Sequence, residues 1–276
     1  MRQKLRFSVL ISIYKKEKPQ FLIQCFNSLL QQSYPADEWV VVEDGPLTKG
    51  LYKILDDYEK QYPDLIKRVK MKKHAGLGVA LAEGIQNCSN ELIARMDADD
   101  ISRKDRFEKQ IKLFMSDPDL DICGSWIEEF ENDTANIVSR RKVPVKEEAI
   151  RKYQKRRDAF NHMTVMYKKQ AVLEAGNYKA VPFMEDTMLW VRMLQNNAHS
   201  VNIPRYLVKA RVGNAYYERR GGWEYFKLYR NGRKEILKTG FISWWDYLST
   251  VIAQFFVALT PINIRSYIFK HILHKN

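Results

Sequence analysis

A disulfide framework and a clean membrane-spanning run are what this 276-residue chain lacks most visibly. Its three cysteines, Cys25, Cys88 and Cys123, are odd in number, far apart and set in apolar segments. That pattern argues against a disulfide framework or a cysteine zinc site, and for buried thiols in a reducing compartment. No secretory leader is expected, because Met1 to Arg6 runs straight into a strand pattern. The longest uncharged stretch, Tyr247 to Ile264, holds Gln254, Pro261 and several hydroxyls and falls short of a transmembrane span. Internal repeats and low-complexity linkers are also missing. The length then allows one large α/β domain, or a domain with a tail. Acidic residues are scarce, 33 against 46 basic ones, for a net charge of +13. The imbalance concentrates late: residues 201–276 hold thirteen Lys/Arg against four Asp/Glu, a net +9. A basic C-terminal third suggests an anionic partner: a phosphate-bearing substrate, an anionic membrane surface or nucleic acid. Against nucleic acid stands the lack of an aromatic RNA-binding or helix-turn-helix pattern.

What is present is an alternation of strands and helices. Phe7 to Tyr14, Trp39 to Val42, Ile66 to Met71 and Glu91 to Met96 read as strands, the first two as buried runs. Between them lie helical spacings after Pro19, around Leu51 to Tyr58, and from Gly76 to about Gln86. Those lengths suit a parallel sheet with crossover helices. Ser102 with Asp105 three residues on predicts a capping box for a helix bearing Phe107, Ile111 and Phe114, stopping at Asp117-Pro118. Asp121 to Trp126 and Thr164 to Tyr167 are strand-like, and residues 140–157 read as a basic surface helix and loop. Phe183 to Asp186 precedes a helix, Val201 to Val212 reads as a strand pair broken by Pro204, and the chain is helical from Trp223.

Chemistry gathers at strand ends. Met96-Asp97-Ala98-Asp99-Asp100 closes the fourth strand, three carboxylates in an otherwise basic chain. Carboxylates packed this closely repel unless a cation joins them, and Mg²⁺ or Mn²⁺ with a bound phosphate is the natural one. A solvated acidic turn is the alternative. In open α/β sheets, ligands bind beyond the carboxyl ends of the strands. Tyr14, Asp44 and the three aspartates should therefore converge on one rim. Tyr14 could lie against a base and Asp44 accept from a base N–H, the aspartates holding a metal on a diphosphate. Tyr14 could equally be a core aromatic, and Asp44 a turn residue before Gly45-Pro46.

Taken in order, these pieces resemble family 2 glycosyltransferases of the GT-A fold, and most closely the non-processive type that builds bacterial capsular polysaccharide and exopolysaccharide. The matching residues are Val9 to Tyr14, Val40 to Gly45, Gly76-Leu77-Gly78 with Ala80 and Gly84, and Arg95 to Asp100 with Arg103 and Arg106. They continue with His162 to Met166, Glu185 to Trp190 and Arg219 to Gly222, so the resemblance covers roughly residues 6–235. It implies a nucleotide-sugar donor, with Asp44 on the base and Asp97 on the ribose or metal. Asp99 becomes the main metal ligand, assisted by Asp100, and Asp186 the general base with Glu185 beside it. Without the resemblance, Glu185-Asp186 reads equally as a dipole-favoured helix start. Arg219-Arg220 before two glycines could clamp the diphosphate or form a solvated turn. The resemblance further implies an inverting transfer, from a UDP-sugar to a lipid-linked oligosaccharide, at the inner face of the bacterial cell membrane.

The chain departs from the family where His74 and Ala82 replace common asparagines, and where Arg211-Val212-Gly213 lacks a following histidine. His162 or the Arg219-Arg220 pair could compensate for that histidine, or the diphosphate and water could complete the metal's shell; His162 reads equally as a structural hydrogen-bonder. A Gln-X-X-Arg-Trp segment is missing, which argues against a processive synthase. Residues 1–240 are assigned to the catalytic domain and 241–276 to a helical tail. Trp244, Trp245, Phe255 and Phe256, then Arg265, Lys270 and Lys275, suit an interfacial helix on an anionic leaflet. Helices packed on the domain are the other possibility. The rival classes are an inactive membrane-surface assembly protein with the same fold and, behind it, a basic nucleic-acid binder. Metal-dependent hydrolysis of a UDP-sugar separates the enzyme from both.

Overall fold

A computed structural model describes residues 4–213, 218, 221–261 and 264–265. Four strands, β1 (Phe7–Ile13), β2 (Glu38–Glu43), β3 (Ile66–Lys70) and β4 (Leu92–Asp97), run parallel in the order β3-β2-β1-β4. Crossover helices α1 (Pro19–Leu30), α2 (Lys49–Gln61) and α3 (Leu77–Asn87) join them, as the alternation predicts. Pro19 opens α1, where its missing N–H costs nothing. Thr48 caps α2 by accepting from the Leu51 N–H at 3.4 Å. Gly84 of α3 is pressed onto β1 and β2, since a Cβ there would lie 2.2 Å from Leu10 Cδ1.

After β4 come the short β5 (Ile101–Ser102), α4 (Arg106–Ser116), β6 (Ile122–Phe130), β7 (Ile137–Arg141) and α5 (Glu147–Gln154). Then follow a 3₁₀ turn at His162–Thr164, β8 (Met166–Lys168), α6 (Lys169–Glu174), α7 (Glu185–Gln195) and β9 (Ser200–Arg211). The sheet continues β4-β8-β6-β9-β5, with β8 antiparallel to both neighbours and β7 hairpinned onto β6. Two apolar layers cover its faces. One packs α1, α2 and α4 against β1, β2 and β4 through Phe26, Leu51 and Phe107. The other packs α3 and α7 through Leu81, Ile85, Leu189 and Trp190. All three cysteines are buried and unpaired. α8 (Gly222–Lys238) and α9 (Trp244–Leu259) complete the described chain.

Several expectations need correction. The Ser102 capping box does not form: Ser102 lies in β5, its hydroxyl accepts from Gln32 Nε2 at 3.2 Å, and α4 starts only after Asp105. The segment expected as a strand pair over Val201 to Val212 is the single strand Ser200–Arg211. Its register with β6 jumps from Ser125↔Ile203 to Trp126↔Tyr206, so a bulge takes up Pro204, which has no N–H for the ladder. Part of the basic 140–157 segment is strand β7. Thr164 ends a 3₁₀ turn, so the strand begins at Met166.

His199 ties three elements together. Its Nδ1 meets Glu147 at 2.6 Å, its Nε2 meets Asp117 at 2.9 Å, and its backbone N–H donates to Asp121 at 2.9 Å. The Glu147 hydrogen bond, then Asp117, raises its pKa above the ordinary histidine value. A group raised on folding stabilises fully below its unfolded pKa and loses that contribution as pH rises through the folded one. His199→Gln should therefore cost more stability at pH 6 than at pH 9. The difference should be at most about 1 kcal/mol for so exposed a pair. Urea melts at both pH values measure it, and equal costs would exclude a charged clamp.

Candidate functional site

The carboxyl ends of the parallel strands form a level rim. Ile13 pairs with Glu43 across β1 and β2, and Ser12 with Asp97 across β1 and β4. Tyr14, Asp44 and Asp97 thus leave the sheet at nearly one height, as the topology of such sheets requires.

At β2, Asp44 is buried, and its oxygens accept from the Ala75 N–H at 2.7 Å and the Gly76 N–H at 3.0 Å. His74 Nδ1 lies 2.8 Å from Oδ2. A carboxylate offers about four acceptor positions, so one on Oδ1 stays available. Gly45 adopts φ +81°, and a Cβ there would sit 2.5 Å from the His74 nitrogen, so only glycine lets β2 turn under this loop. The Tyr14 ring stacks on His74 with centroids 5.9 Å apart. The departure at His74 therefore supplies an aromatic surface beside Asp44, which residue-by-residue comparison did not reveal.

At β4, one side-chain oxygen each from Asp97, Asp99 and Asp100 lies within 4.8 Å of the others. Three groups hold this loop. Arg95, 2% exposed, ion-pairs through Nη2 with Asp97 Oδ1. Arg211 at the end of β9 donates its backbone N–H to Asp100 Oδ1 at 2.7 Å and its Nε to the Asp99 carbonyl at 3.1 Å. The Arg211 guanidinium itself is clamped over Phe21 at 3.8 Å and Phe130 at 4.5 Å. The Cys25 thiol donates to the Asp97 carbonyl at 3.2 Å. Burial, then Asp97, pushes the Asp99 carboxyl up to about 6, and burial, then Asp99 and Asp97, raises Asp100 well above the usual range. Asp100 Oδ2 is buried with no hydrogen-bond partner. A rigid trio of mutually repelling oxygen donors, one of them orphaned, fits a hard divalent cation.

A second carboxylate group stands at the start of α7. Phe183, just before it, has φ +65°, a left-handed conformation uncommon for a bulky residue and typical of functional sites. A Cβ on Gly78 would lie 3.0 Å from Glu185 Cβ, so the starts of α3 and α7 pack together beside the rim. Asp186 Oδ1 accepts from the Thr187 N–H at 2.7 Å, and Thr187 Oγ1 donates to Asp158 at 2.5 Å. Burial, then Asp158 and Glu185, pushes the Asp186 carboxyl up to about 8. Burial also raises Glu185, with Asp97 contributing. His162 Nδ1 is 3.9 Å from Asp186 Oδ2, while its Nε2 meets the Tyr178 hydroxyl at 2.8 Å. Burial and the Arg95 charge hold His162 well below its ordinary pKa, so it is neutral.

Arg95 acts electrostatically on both carboxylate groups. Sequence reasoning gave it no role, although a charge inside the apolar run Leu92 to Met96 was a signal. Asp158 was missed too, and nothing in its basic surroundings marked it. Arg219 and Arg220 lie outside the described residues.

Comparison with known proteins identifies the family. The family model "Glycosyl transferase family 2" matches residues 8–174. The amylovoran biosynthesis glycosyltransferase AmsE of Erwinia amylovora is 36% identical over 268 residues, 96% of this chain and 98% of that one. The UDP-Gal:alpha-D-GlcNAc-diphosphoundecaprenol beta-1,3-galactosyltransferase of Escherichia coli is 33% identical over 270 residues, 98% of this chain and 97% of its own. Among solved structures, the mannosyltransferase PcManGT of Pyrobaculum calidifontis, in complex with GDP-Man and Mn²⁺, superposes with a TM-score of 0.64 at 15% identity. That match covers 86% of this chain and 65% of the mannosyltransferase, just under two thirds of its length. The GT-A expectation for the fold holds, and the chain belongs to glycosyl transferase family 2, a family of sugar-transferring enzymes.

Proposed function

We propose that this enzyme transfers one sugar, with inversion, from a UDP-sugar to a lipid-linked saccharide acceptor during exopolysaccharide, capsular or related surface-glycan synthesis. The observation that carries the reading is the pair of carboxylate groups beside one rim. One is a trio with an orphaned oxygen, suited to a cation, the other a half-buried pair with raised pKa suited to moving a proton. The E. coli relative is named for a UDP-sugar and a diphosphoundecaprenol acceptor, which supports the donor and acceptor classes.

In this account Tyr14 and Asp44 receive the base, and Asp97 the ribose or metal. Asp99, with Asp97 and Asp100, would hold Mn²⁺ or Mg²⁺, which when bound neutralises charge on the diphosphate. Arg219 and Arg220 are kept as diphosphate contacts on the sequence argument. Asp186 accepts the proton of the acceptor hydroxyl as its oxygen bonds to the anomeric carbon. The bond from that carbon to the diphosphate breaks with its electron pair leaving on the nucleotide. Burial, then Asp158 and Glu185, keeps the Asp186 pKa high, so the carboxylate is a strong enough base once ionised. Inversion is tested on the product from a UDP-sugar and a prenyl-diphosphate-linked sugar, by NMR coupling at the new anomeric centre. Configuration opposite to the donor's supports the scheme, and retention removes Asp186 from its role.

Residues 1–240 form the catalytic unit in this reading, and 241–276 associate with the inner membrane face. Among the described residues, no helix is long and apolar enough to cross a membrane. α9 instead leaves Trp244, Trp245, Leu248, Ile252, Phe256 and Leu259 exposed, between 41% and 76%. At about 100° per residue these side chains fall on one helix face. The sole charge of α9, Asp246, is buried and paired with Arg156 at 2.7 Å. An uncharged aromatic face of this kind suits the bilayer interface. Arg265 does not act as the basic group expected of it: it is 7% exposed, and its Nη2 donates to the Thr260 carbonyl at 2.8 Å. Lys270 and Lys275 lie outside the described residues. The double variant Trp244→Ser with Phe256→Ser should bind vesicles at least tenfold more weakly, because each fully buried aromatic contributes roughly 1.5–3 kcal/mol. Co-sedimentation measures this, and wild-type binding by the folded variant would return the face to another role.

A further inference from the structure

We infer that the groove between α8 and α9 binds the phosphate of an anionic phospholipid headgroup. The inference rests on the membrane reading above and names where its electrostatic part resides. Arg230, Lys234 and Lys238 recur every fourth residue along α8, which places them on one flank of the helix. With Asn231, Trp244 and Tyr247 they line a cavity of about 560 Å³. Lys238 is paired with Glu235 at 2.8 Å, while among the described residues no carboxylate pairs with Arg230 or Lys234. The groove is therefore a cationic recess without an acidic side chain in its lining.

Its position selects the occupant. Trp244 belongs both to the groove and to the exposed apolar face of α9. A bilayer that receives Trp245, Leu248, Ile252 and Phe256 brings its headgroups level with Trp244, where tryptophan settles best. The three cations then stand beside phosphate oxygens, which they bind by charge-assisted hydrogen bonds. A water-soluble phosphate would satisfy the cations and leave the apolar face in water. A phospholipid satisfies both surfaces at once.

The test is co-sedimentation of the full chain with vesicles of phosphatidylcholine alone or mixed with phosphatidylglycerol. The triple variant Arg230→Gln, Lys234→Gln, Lys238→Gln is compared with Lys53→Gln, Lys60→Gln, Lys112→Gln on α2 and α4. All six side chains are exposed, so both variants should fold, which circular dichroism verifies. The α8 variant should lose about thirtyfold or more in affinity for phosphatidylglycerol vesicles, the scale of two to three basic groups at a charged surface. Its binding to neutral vesicles should not change, and the control should lose less than about threefold. Equal losses from the two variants would overturn the site, since net charge alone would explain them. Loss of transfer to a detergent-solubilised acceptor, with vesicle binding intact, would give the groove to the acceptor's diphosphate and overturn it too. A dimer that Trp244→Ser dissolves in the absence of vesicles would assign the face to a second copy. Failure of the wild type to bind either vesicle would instead sink the membrane reading itself.

Discussion

Asp99→Asn is expected to abolish metal-dependent binding of UDP. Groups that merely support a metal ligand cost about 10–100-fold in affinity when removed. Loss of the central ligand should exceed about a hundredfold by the same scale. Calorimetry with UDP in Mn²⁺ and in chelator measures it. The variant should fold well, because it removes one of three mutually repelling carboxylates. Burial and Asp97 raise the Asp99 carboxyl to about 6. An acid raised on folding stabilises below its unfolded pKa and loses that contribution as pH climbs through the folded value. At neutral pH, Asp99 thus costs stability in the metal-free protein, and Asp99→Asn should melt higher than metal-free wild type. Mn²⁺ should then raise the melting temperature of the wild type and leave the variant unmoved. Undiminished metal-dependent UDP binding by the variant would remove Asp99 from the cation site.

Asp186→Asn should separate chemistry from donor binding. A positioned base contributes about 10²–10⁴-fold, so turnover should fall by that factor while UDP affinity stays near wild type. Here too the folded carboxyl is raised, to about 8, so the same sign applies and the variant should be the more stable protein above about pH 4. In the proposed scheme the ionised form is the active one, so kcat/KM should rise with pH along a limb at or below 8, since a bound dication would draw it downward. Asp158→Asn should move that limb lower still, because Asp158 is the largest charge raising Asp186. Near-normal turnover by Asp186→Asn would pass the base role to Glu185 or another group.

How much of this was readable in advance follows from the range of each interaction. The first four strands and three helices were visible because burial imposes its period locally: Phe7 to Ile13 is apolar, and Leu22, Cys25, Phe26 and Leu29 recur at helical spacing. The acid cluster was visible for the same reason, being contiguous. Features set by tertiary partners were not. Ser102 has the spacing of a cap, but Gln32 reaches its hydroxyl from 70 positions away. Asp158 reaches the candidate base through Thr187, 29 residues on. Arg211 braces the acid loop across 111 residues, so its local surroundings gave no sign of that duty. Arg265 reads in the sequence as a surface cation, yet its hydrogen bonds fold it back onto the C-terminal end of α9.

The central claim is a metal-dependent glycosyl transfer from a nucleotide-sugar at the rim of Asp44, Asp97, Asp99 and Asp186. Release of UDP from a panel of nucleotide-sugars, with Mn²⁺ or with chelator, tests it most directly. The account predicts slow hydrolysis of one UDP-sugar that requires the metal, disappears in Asp99→Asn and accelerates with a lipid-linked acceptor. UDP release that persists unchanged in chelator, or a complete failure of the folded protein to turn over any nucleotide-sugar in Mn²⁺, would contradict it.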